Sequence, residues 1–450
     1  MEATLLEILD ARERRVKKQE QLRTQYQKPL LCFTMNIPGP EKWNRDVSIG
    51  FTVGKLLLEK QLEKIVYSES QYDTAGCAAY YVVDMPPEQV KQIAIDIEHT
   101  RQIGRLFDMD VLDADGRKIP REELGYPPRK CLICGEDARI CGRSRAHGLE
   151  ALQEKTRGLL CSARHYLAQA IADTACYALN QEVNTTPKPG LVDKNNCGAH
   201  KDMQLQHFLN SSRALHPYFV RFAETGLQTW QQEAVETFRR IRTVGMDAEK
   251  AMLQATGGVN THKGAIFTMG LLCAAAGRIP PHKWSADLLL DQCAAMTAGI
   301  VAEDFSNITI ENARTAGEQL YAQYGITGVR GQAEAGFPAV RDVGLSIYHA
   351  AIHSGLSENH AGCITLLHLI ANTDDTNLIH RSSRVRQLEI CQQLHDLLEE
   401  DPFPPIHKIQ QLDEAFIAEN LSPGGSADLL AATYFVKSLC DIALGSEWPV

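Results

Sequence analysis

Apolar residues recur with two different periods in the first third of the chain. The three- and four-residue spacing of an amphipathic helix is found in residues 1–20, 46–64 and 87–102. Short apolar runs bounded by turn residues, as is typical of strands, are found in residues 29–40, 77–87 and 104–112. This mixture predicts an N-terminal α/β or α+β domain.

Beyond about residue 160 only the helical period remains. It is found in residues 162–183, 207–226, 227–245, 265–278, 286–305 and 386–400. Loops rich in Gly, Asn and Asp separate these stretches. We therefore expect two domains, 1–160 and 161–450, of which the second is all-α. Their join is expected within residues 155–165, inside a charged helical stretch.

Length and charge narrow the class of protein. A chain of 450 residues is too long for one hydrophobic core, which agrees with more than one domain. The net charge of −10 argues against general binding to nucleic acid or to an anionic membrane surface. No stretch approaches the roughly 18 apolar residues of a membrane span. Thirteen scattered cysteines do not resemble a secreted disulfide framework, so we expect a cytoplasmic protein with mostly reduced thiols.

Two carboxylates, Asp108 and Asp110, interrupt the apolar run at residues 104–112. Side chains two apart on a strand point to the same face, and two buried negative charges need a positive partner. Such a pair can hold Mg²⁺, which polarises a phosphoryl group during transfer. Arg105 and Arg117 are close in sequence and could contact phosphates. The alternative is a strand edge whose acids face water.

Three cysteines and a histidine follow with short spacings: Cys131, Cys134, Cys141 and His147. Thiolates and an imidazole at such separations can make a tetrahedral Zn²⁺ site. The alternative is a cysteine-containing turn that leads into a helix. A disulfide between Cys131 and Cys134 is disfavoured in a reducing compartment.

Polar residues cluster in five loops between the predicted helices of the second domain. The clusters are Lys188, Asp193, Asn196, His200 and Asp202; Asn260, His262 and Lys263; Arg330 and Glu334; Asp374, Asp375, Asn377, His380 and Arg381; and Ser426 with Asp428. Acids beside basic residues predict a metal-assisted site for a polyphosphate substrate. The alternative is that the glycines and acids of these loops are helix caps, and Asp428 by itself is interpreted as one.

Several long motifs carry a resemblance to known enzymes. Residues 25–158 contain FTMNIPGPEK, GRLFDMDVLD and RKCLICGEDARICGRSRAH. This part resembles the holo-acyl-carrier-protein synthase of citrate lyase, a phosphoribosyl-dephospho-CoA transferase. Residues 163–450 contain EVNTTPKPGLVDKNNCGAHKDM, GVNTHKGAIF, GITGVRGQAEAGFPAV and DDTNLIHR. They resemble triphosphoribosyl-dephospho-CoA synthase, in the order of a bifunctional fusion. Gln332 stands where the resemblance predicts Glu, although Glu334 is close by.

The resemblance implies two consecutive steps in the synthesis of one prosthetic group. In the first, the all-α domain joins ATP to 3′-dephospho-CoA and releases adenine, giving 2′-(5″-triphosphoribosyl)-3′-dephospho-CoA. In the second, a nucleotidyltransferase-like N-terminal domain transfers the phosphoribosyl-dephospho-CoA unit to a serine of the apo citrate lyase acyl carrier protein, the γ subunit, and pyrophosphate leaves.

The same resemblance suggests roles for particular residues. Asp108 and Asp110 are the expected Mg²⁺ ligands of the second step. The candidates for metal binding or for the base in the first step are Asp193, Asp202, Asp374 and Asp375. The candidates for substrate binding are Arg105, Lys188, His200, Asn260, His262, Lys263, Arg330 and Arg381.

Two alternatives stay open at this point. One is the equivalent enzyme pair for a malonate decarboxylase carrier protein, which performs the same chemistry on another partner. The other is a non-catalytic assembly factor that binds the carrier protein and CoA-like ligands. Release of adenine from ATP would separate an enzyme from an assembly factor.

Overall fold

The computed structural model describes residues 2–444, and its N-terminal part is built on a four-stranded sheet. The strands are β1 (Leu30–Met35), β2 (Ile65–Asp73), β3 (Gly76–Val83) and β4 (Phe107–Leu112). Every neighbouring pair is antiparallel, in the order β2-β3-β1-β4, so β4 is an edge strand. An antiparallel sheet makes this an α+β rather than an α/β arrangement.

Helices cover both faces of the sheet. They are α1 (Leu5–Tyr26), α2 (Arg45–Glu59) and α3 (Pro87–Thr100). A further short helix, α4 (Ala138–Ser144), has no buried residues. Alternate residues of β1 enter different cores: Leu31 and Phe33 join the main core, while Cys32 faces the smaller core under α1. Helix α2 lies close to the main-core face of the sheet at Gly54. A Cβ at this position would lie only 2.3 Å from the Phe33 ring, so a larger residue would not fit.

Helix α5 (Leu149–Asn184) runs without interruption from the N-terminal part into the helical part. It contacts α2 on one side and the helices that follow it on the other, and the main core extends through both parts. Polar contacts reinforce this junction: Arg164 donates two hydrogen bonds of 2.9 and 3.0 Å to the two carboxylate oxygens of Asp46. Ser48 and His282 lie 2.6 Å apart between Oγ and Nδ1. The predicted join therefore lies inside a continuous helix.

Between residues 149 and 444 all regular secondary structure is helical, and no strand is found there. The helices are α6 (Leu205–Thr229), α7 (Ala234–Ala255), α8 (Lys263–Arg278), α9 (Ala286–Met296), α10 (Ile300–Phe305), α11 (Ala316–Tyr324), α12 (Gly328–Glu334), α13 (Leu345–His353), α14 (Glu358–Asn372), α15 (Thr376–Arg381), α16 (Arg384–Glu400), α17 (Ile406–Ala418) and α18 (Gly424–Leu444). None of the described helices is long and apolar enough to cross a membrane.

The prediction of a mixed N-terminal part followed by a helical part is confirmed: a small sheet with helices is followed by helices alone. Strand β2 was not predicted, because its polar, half-exposed residues lack a clear alternation. The helix predicted over 286–305 is divided into α9 and α10, where Gly299 has a φ of +83°. A nucleotidyltransferase fold stays a prediction.

Candidate functional site

A cavity of about 1020 Å³ opens among the ends of helices in the helical part. Its walls come from α5, α8, α12, α15, α16, α18 and the loop of residues 185–204. The structure brings eight of the predicted site residues to its surface: Lys188, His200, Asn260, His262, Lys263, Asp374, Asp375 and Arg381. These eight residues come from three of the five loop clusters that the sequence singles out, and Asp428 of a fourth cluster also lines the cavity, so residues from four clusters are close in space.

Lys188 is buried in the cavity wall and forms an ion pair with Glu182 of α5, which the sequence did not single out. Asp193 holds the loop that presents Lys188. Its carboxylate accepts hydrogen bonds from Thr186 Oγ1 at 2.7 Å and from the Lys188 backbone N–H at 3.1 Å, together with two further backbone N–H groups. Asp193 does not line the cavity.

His200 connects two other segments of the wall. Its Nδ1 lies 3.0 Å from an Arg381 guanidinium nitrogen, and its Nε2 lies 2.9 Å from Ser422 Oγ. Because a guanidinium can only donate, Nδ1 accepts, and the neutral ring then donates from Nε2 to Ser422. Burial and the Arg381 charge lower the pKa of His200, so this ring stays neutral near pH 7.

His262 is buried at the start of α8. Its Nδ1 lies 2.7 Å from Ser211 Oγ, whereas its Nε2 has no hydrogen-bond partner. The neighbouring cavity residues Thr261 and Thr268 also have buried hydroxyls without a partner. Burial, with the Lys188 charge, lowers the pKa of His262 to about 3. Buried polar atoms without a hydrogen-bond partner are rare in folded proteins. Several of them on one wall indicate that this wall binds a ligand.

Asp374 and Asp375 are adjacent in sequence but differ in burial and in their hydrogen-bond partners. Asp375 is buried and caps α15 by accepting hydrogen bonds from two backbone N–H groups of that helix. It also accepts from the N–H and hydroxyl of Ser426, at 2.7 and 2.9 Å. Burial raises the pKa of Asp375. Asp374 is exposed on the rim and pairs with Arg384. Because both carboxylate oxygens of Asp375 already accept hydrogen bonds within the protein, this residue has few lone pairs left to contact a substrate.

Asp428 has the opposite character, because it has no hydrogen-bond partner among the described residues. It lies in the second turn of α18, beyond the position of a cap, and lines the cavity. Its Oδ2 sits 2.1 Å from where a Cβ on Gly264 would lie, directly at the N-terminus of α8. Burial, followed by the charges of Glu182 and Asp375, raises the pKa of Asp428 well above its ordinary value. Its position contradicts the interpretation as a cap.

Besides Asp193, two further predicted residues of this part, Arg330 and Asp202, do not line the cavity. Arg330 forms an ion pair of 2.6 Å with Asp304 and packs over the Phe305 ring at 5.2 Å. Asp202 is exposed and does not line the cavity. Gln332 does line it, while Glu334 turns away and accepts a hydrogen bond from the Gly299 N–H at 2.6 Å. No carboxylate of α12 therefore reaches the cavity.

Asp108 and Asp110 lie on β4, on the face opposite its buried residues Phe107, Met109 and Val111. Their side chains are 52% and 36% exposed, so water and ligands can reach both. Asp110 forms an ion pair of 2.6 Å with Lys118.

Asp108 lies 3.6 Å from Arg129, which also contacts Glu98 at 3.2 Å. The cations beside the two aspartates are thus Lys118 and Arg129, neither of which the sequence indicated. Arg105 instead donates to the backbone carbonyls of Lys130 and Cys131, and Arg117 pairs with Asp113 and Glu123.

The cysteine–histidine cluster (Cys131, Cys134, Cys141 and His147) forms a compact group beyond the end of β4. Cys134 Sγ lies 3.5 Å from Cys141 Sγ and 3.3 Å from His147 Nε2. All four potential ligand atoms lie within 4.8 Å of one another.

Comparison with known proteins assigns both parts of the chain. A family model described as ATP:dephospho-CoA triphosphoribosyl transferase matches residues 168–445. A second, described as apo-citrate lyase phosphoribosyl-dephospho-CoA transferase, matches residues 3–162.

Two relatives align with nearly the whole chain, and a third aligns with about two thirds of it. Protein CitXG of Haemophilus influenzae is 36% identical over 96% of this chain and 95% of its own length. Protein CitXG of Leuconostoc mesenteroides subsp. cremoris is 34% identical over 97% of each chain. The 2-(5''-triphosphoribosyl)-3'-dephosphocoenzyme-A synthase of Haemophilus ducreyi is 38% identical over 68% of this chain and 99% of its own length. The chain therefore belongs to the family of fused citrate lyase prosthetic-group proteins, as a bifunctional transferase with a triphosphoribosyl-dephospho-CoA synthase part and an apo-citrate lyase transferase part.

Proposed function

We propose that the cavity of the helical part catalyses the first of two consecutive steps. In it, ATP and 3′-dephospho-CoA give 2′-(5″-triphosphoribosyl)-3′-dephospho-CoA and adenine. The observation that carries this proposal is the unpartnered Asp428 carboxylate in a cavity that also presents Lys188 and Arg381. A volume of 1020 Å³ lies at the upper end of the range of about 300–1,000 Å³ for small-molecule sites, which suits parts of two nucleotides.

The start of α8 is the proposed binding surface for the triphosphate. In this helix of 16 residues the N-cap residue His262 makes no capping hydrogen bond, although the Lys263 N–H donates to Asn260 Oδ1 at 3.2 Å, and residues 260–264 line the cavity. Backbone N–H groups and the helix dipole at such an end favour an anion. Arg381 and Lys188 add positive charge from two other segments.

Asp428 is proposed to accept the proton of the attacking hydroxyl. The ribose 2′-oxygen of dephospho-CoA forms a bond to the anomeric carbon of ATP while the bond from that carbon to adenine breaks. The hydroxyl proton passes to Asp428, which later returns it to water. The leaving adenine carries away the electron pair of the broken bond and takes up one proton from water, so that neutral adenine is released. Nearby carboxylates also stabilise the oxocarbenium-like charge of the transition state. Inversion turns the β-linkage of ATP into an α-linkage.

The second step is proposed to occur on the exposed face of β4. The serine oxygen of the apo citrate lyase acyl carrier protein, the γ subunit, forms a bond to the α-phosphorus while the bond from that phosphorus to the bridging oxygen of pyrophosphate breaks, and the serine proton is released to water. Asp108 and Asp110 would hold Mg²⁺, and their shared, accessible face fits that role. When bound, the metal offsets negative charge on the phosphoryl oxygens. Lys118 and Arg129, which pair with Asp110 and Asp108, are proposed to contact the same phosphates. Neither step as proposed requires Zn²⁺.

All thirteen cysteines are free thiols. This supports the proposal that the protein acts in a reducing compartment, the cytoplasm.

Intact-mass analysis of the carrier protein tests the whole proposal. After incubation of apo citrate lyase carrier protein with the enzyme, ATP, dephospho-CoA and Mg²⁺, we expect a mass gain of one phosphoribosyl-dephospho-CoA unit and an equal amount of free adenine. Adenine without a modified citrate lyase carrier, but with a modified malonate decarboxylase carrier, would show that the partner is wrong. Absence of both products would favour an assembly factor.

Gly264→Ala should impair the first step selectively. The new methyl would lie 2.1 Å from Asp428 Oδ2 and must displace that carboxylate. Misplacement of a reacting group by about 1 Å costs on the order of 10²-fold in rate, measured here as adenine release. Gly245→Ala in α7 is the matched control, because no atom lies within 4 Å of its added methyl. Full adenine release by Gly264→Ala would argue against Asp428 as the base.

A further inference from the structure

The cysteine–histidine cluster has the geometry of a tetrahedral metal site. Thiolate sulfurs about 2.3 Å from a common Zn²⁺ lie about 3.8 Å from one another in a tetrahedron. The distances of 3.5 Å between Cys134 and Cys141 and of 3.3 Å from Cys134 to His147 are close to that arrangement. Three thiols and one imidazole also form a complete ligand set for structural zinc.

The backbone around Cys131 and Cys134 is shaped to present sulfur atoms. The Ile133 N–H donates to Cys131 Sγ at 3.5 Å, and the Cys131 N–H donates to the Glu136 carbonyl at 2.6 Å. Gly135 completes the tight turn with a φ of +79°, which disfavours any other residue there. The Ile133 N–H beside the Cys131 sulfur would stabilise the thiolate charge that a bound metal requires, and the bond from Cys131 to Glu136 closes the turn.

The segment of residues 129–147 has few apolar contacts with the rest of the protein: Leu132 packs against the main core, and polar contacts such as the Arg139–Glu122 ion pair make up most of the remainder. Between residues 131 and 147 only Cys131 is buried, and Ile133 and Ile140 are 40% and 66% exposed. A short segment without an apolar core needs another source of stability, which a metal can provide.

We propose that Cys131, Cys134, Cys141 and His147 bind one structural Zn²⁺, and that this site holds Arg129 beside Asp108. Cys131 is two residues from Arg129, whose guanidinium contacts the Phe107 carbonyl, Glu98 and Asp108. Arg105 anchors the same segment by donating to the Cys131 carbonyl at 3.0 Å. The metal thereby connects the segment to β4. The proposal of a zinc site depends only on the geometry of the four ligand residues. The proposed effect of the metal on Arg129 rests in addition on the proposed transfer function.

Metal analysis of the purified full-length protein tests the site directly. We expect about one Zn²⁺ per chain in the wild type and in Cys161→Ser, a control at an exposed cysteine of α5 outside the cluster. The double variant Cys134→Ser/Cys141→Ser should lose the metal. Replacement by Co²⁺ should give the visible absorption of tetrahedral thiolate coordination in the wild type and in Cys161→Ser, but not in the double variant. Less than about half an equivalent of zinc, or undiminished zinc in the double variant, would overturn the site.

Zinc removal from the wild type tests the effect on Arg129. Carrier modification, measured with preformed triphosphoribosyl-dephospho-CoA, should fall while adenine release from ATP is unchanged, and added zinc should restore it. Carrier modification that is indifferent to zinc would overturn the positioning role. A zinc-loaded protein that modifies no carrier would instead refute the proposed transfer function, with the metal site intact.

Discussion

Asp428→Asn should lower adenine release from ATP by about 10²- to 10⁴-fold, the usual contribution of a positioned general base. Asparagine keeps the size of the side chain but cannot accept the proton of the attacking hydroxyl. The measurement is adenine formation under saturating ATP and dephospho-CoA. Asp441→Asn is a matched control, because Asp441 is also on α18 but pairs with Lys437 and does not line the cavity.

The pH dependence gives this prediction a second readout. A base must be ionised to act, and burial with the charges of Glu182 and Asp375 raises the pKa of Asp428. Lys188, which pairs with Glu182, compensates part of that negative charge. The rate of the wild type should therefore rise as the pH passes upward through the raised pKa, and Asp428→Asn should lack this rise. An unchanged pH profile combined with a higher Mg²⁺ requirement would identify Asp428 as a metal ligand instead.

Asp108→Asn or Asp110→Asn should block carrier modification while adenine release continues. Loss of a metal-binding carboxylate removes charge stabilisation worth several kcal/mol, which corresponds to roughly 10²- to 10³-fold in rate. The carrier is followed by intact mass after addition of preformed triphosphoribosyl-dephospho-CoA, so that only the second step is observed.

Asp115→Asn is the control for the β4 variants, because Asp115 is exposed in the adjacent turn. A protein that keeps its folded circular dichroism spectrum but loses both activities would contradict two independent sites. Normal carrier modification by both β4 variants would remove these aspartates from the proposed metal site.

The spacing of apolar residues was enough to predict a mixed N-terminal part and a helical remainder, because periods of two and 3.6 are local properties of the chain. The type of sheet was not accessible in this way. Strand β2 has a weak pattern, and its pairing with β3 decides the antiparallel order. Nor did periodicity show that α5 would join both parts as one helix of 36 residues.

For the cavity, polar residues in glycine-rich loops correctly pointed to segments that meet in space, such as those of Lys188, His262 and Arg381. Their individual tasks depend on neighbours that are distant in sequence. Asp193 and Asp375 have the same side chain as Asp428, yet both are occupied by backbone N–H groups. Only the packing of α18 against α8 leaves Asp428 unpartnered.

The sequence itself was therefore enough to identify groups of residues that lie close together along one segment, because a short spacing in sequence limits their distance in space. The two aspartates of β4 and the cysteine–histidine cluster are such groups. The tertiary structure alone decided which charges compensate them. Arg129 pairs with Asp108, and Glu182 pairs with Lys188. The local sequence pattern around these residues does not predict either ion pair. Hydrophobic spacing specifies which face of an element is buried, whereas the partner that meets an exposed or half-buried polar group is set by how whole elements pack.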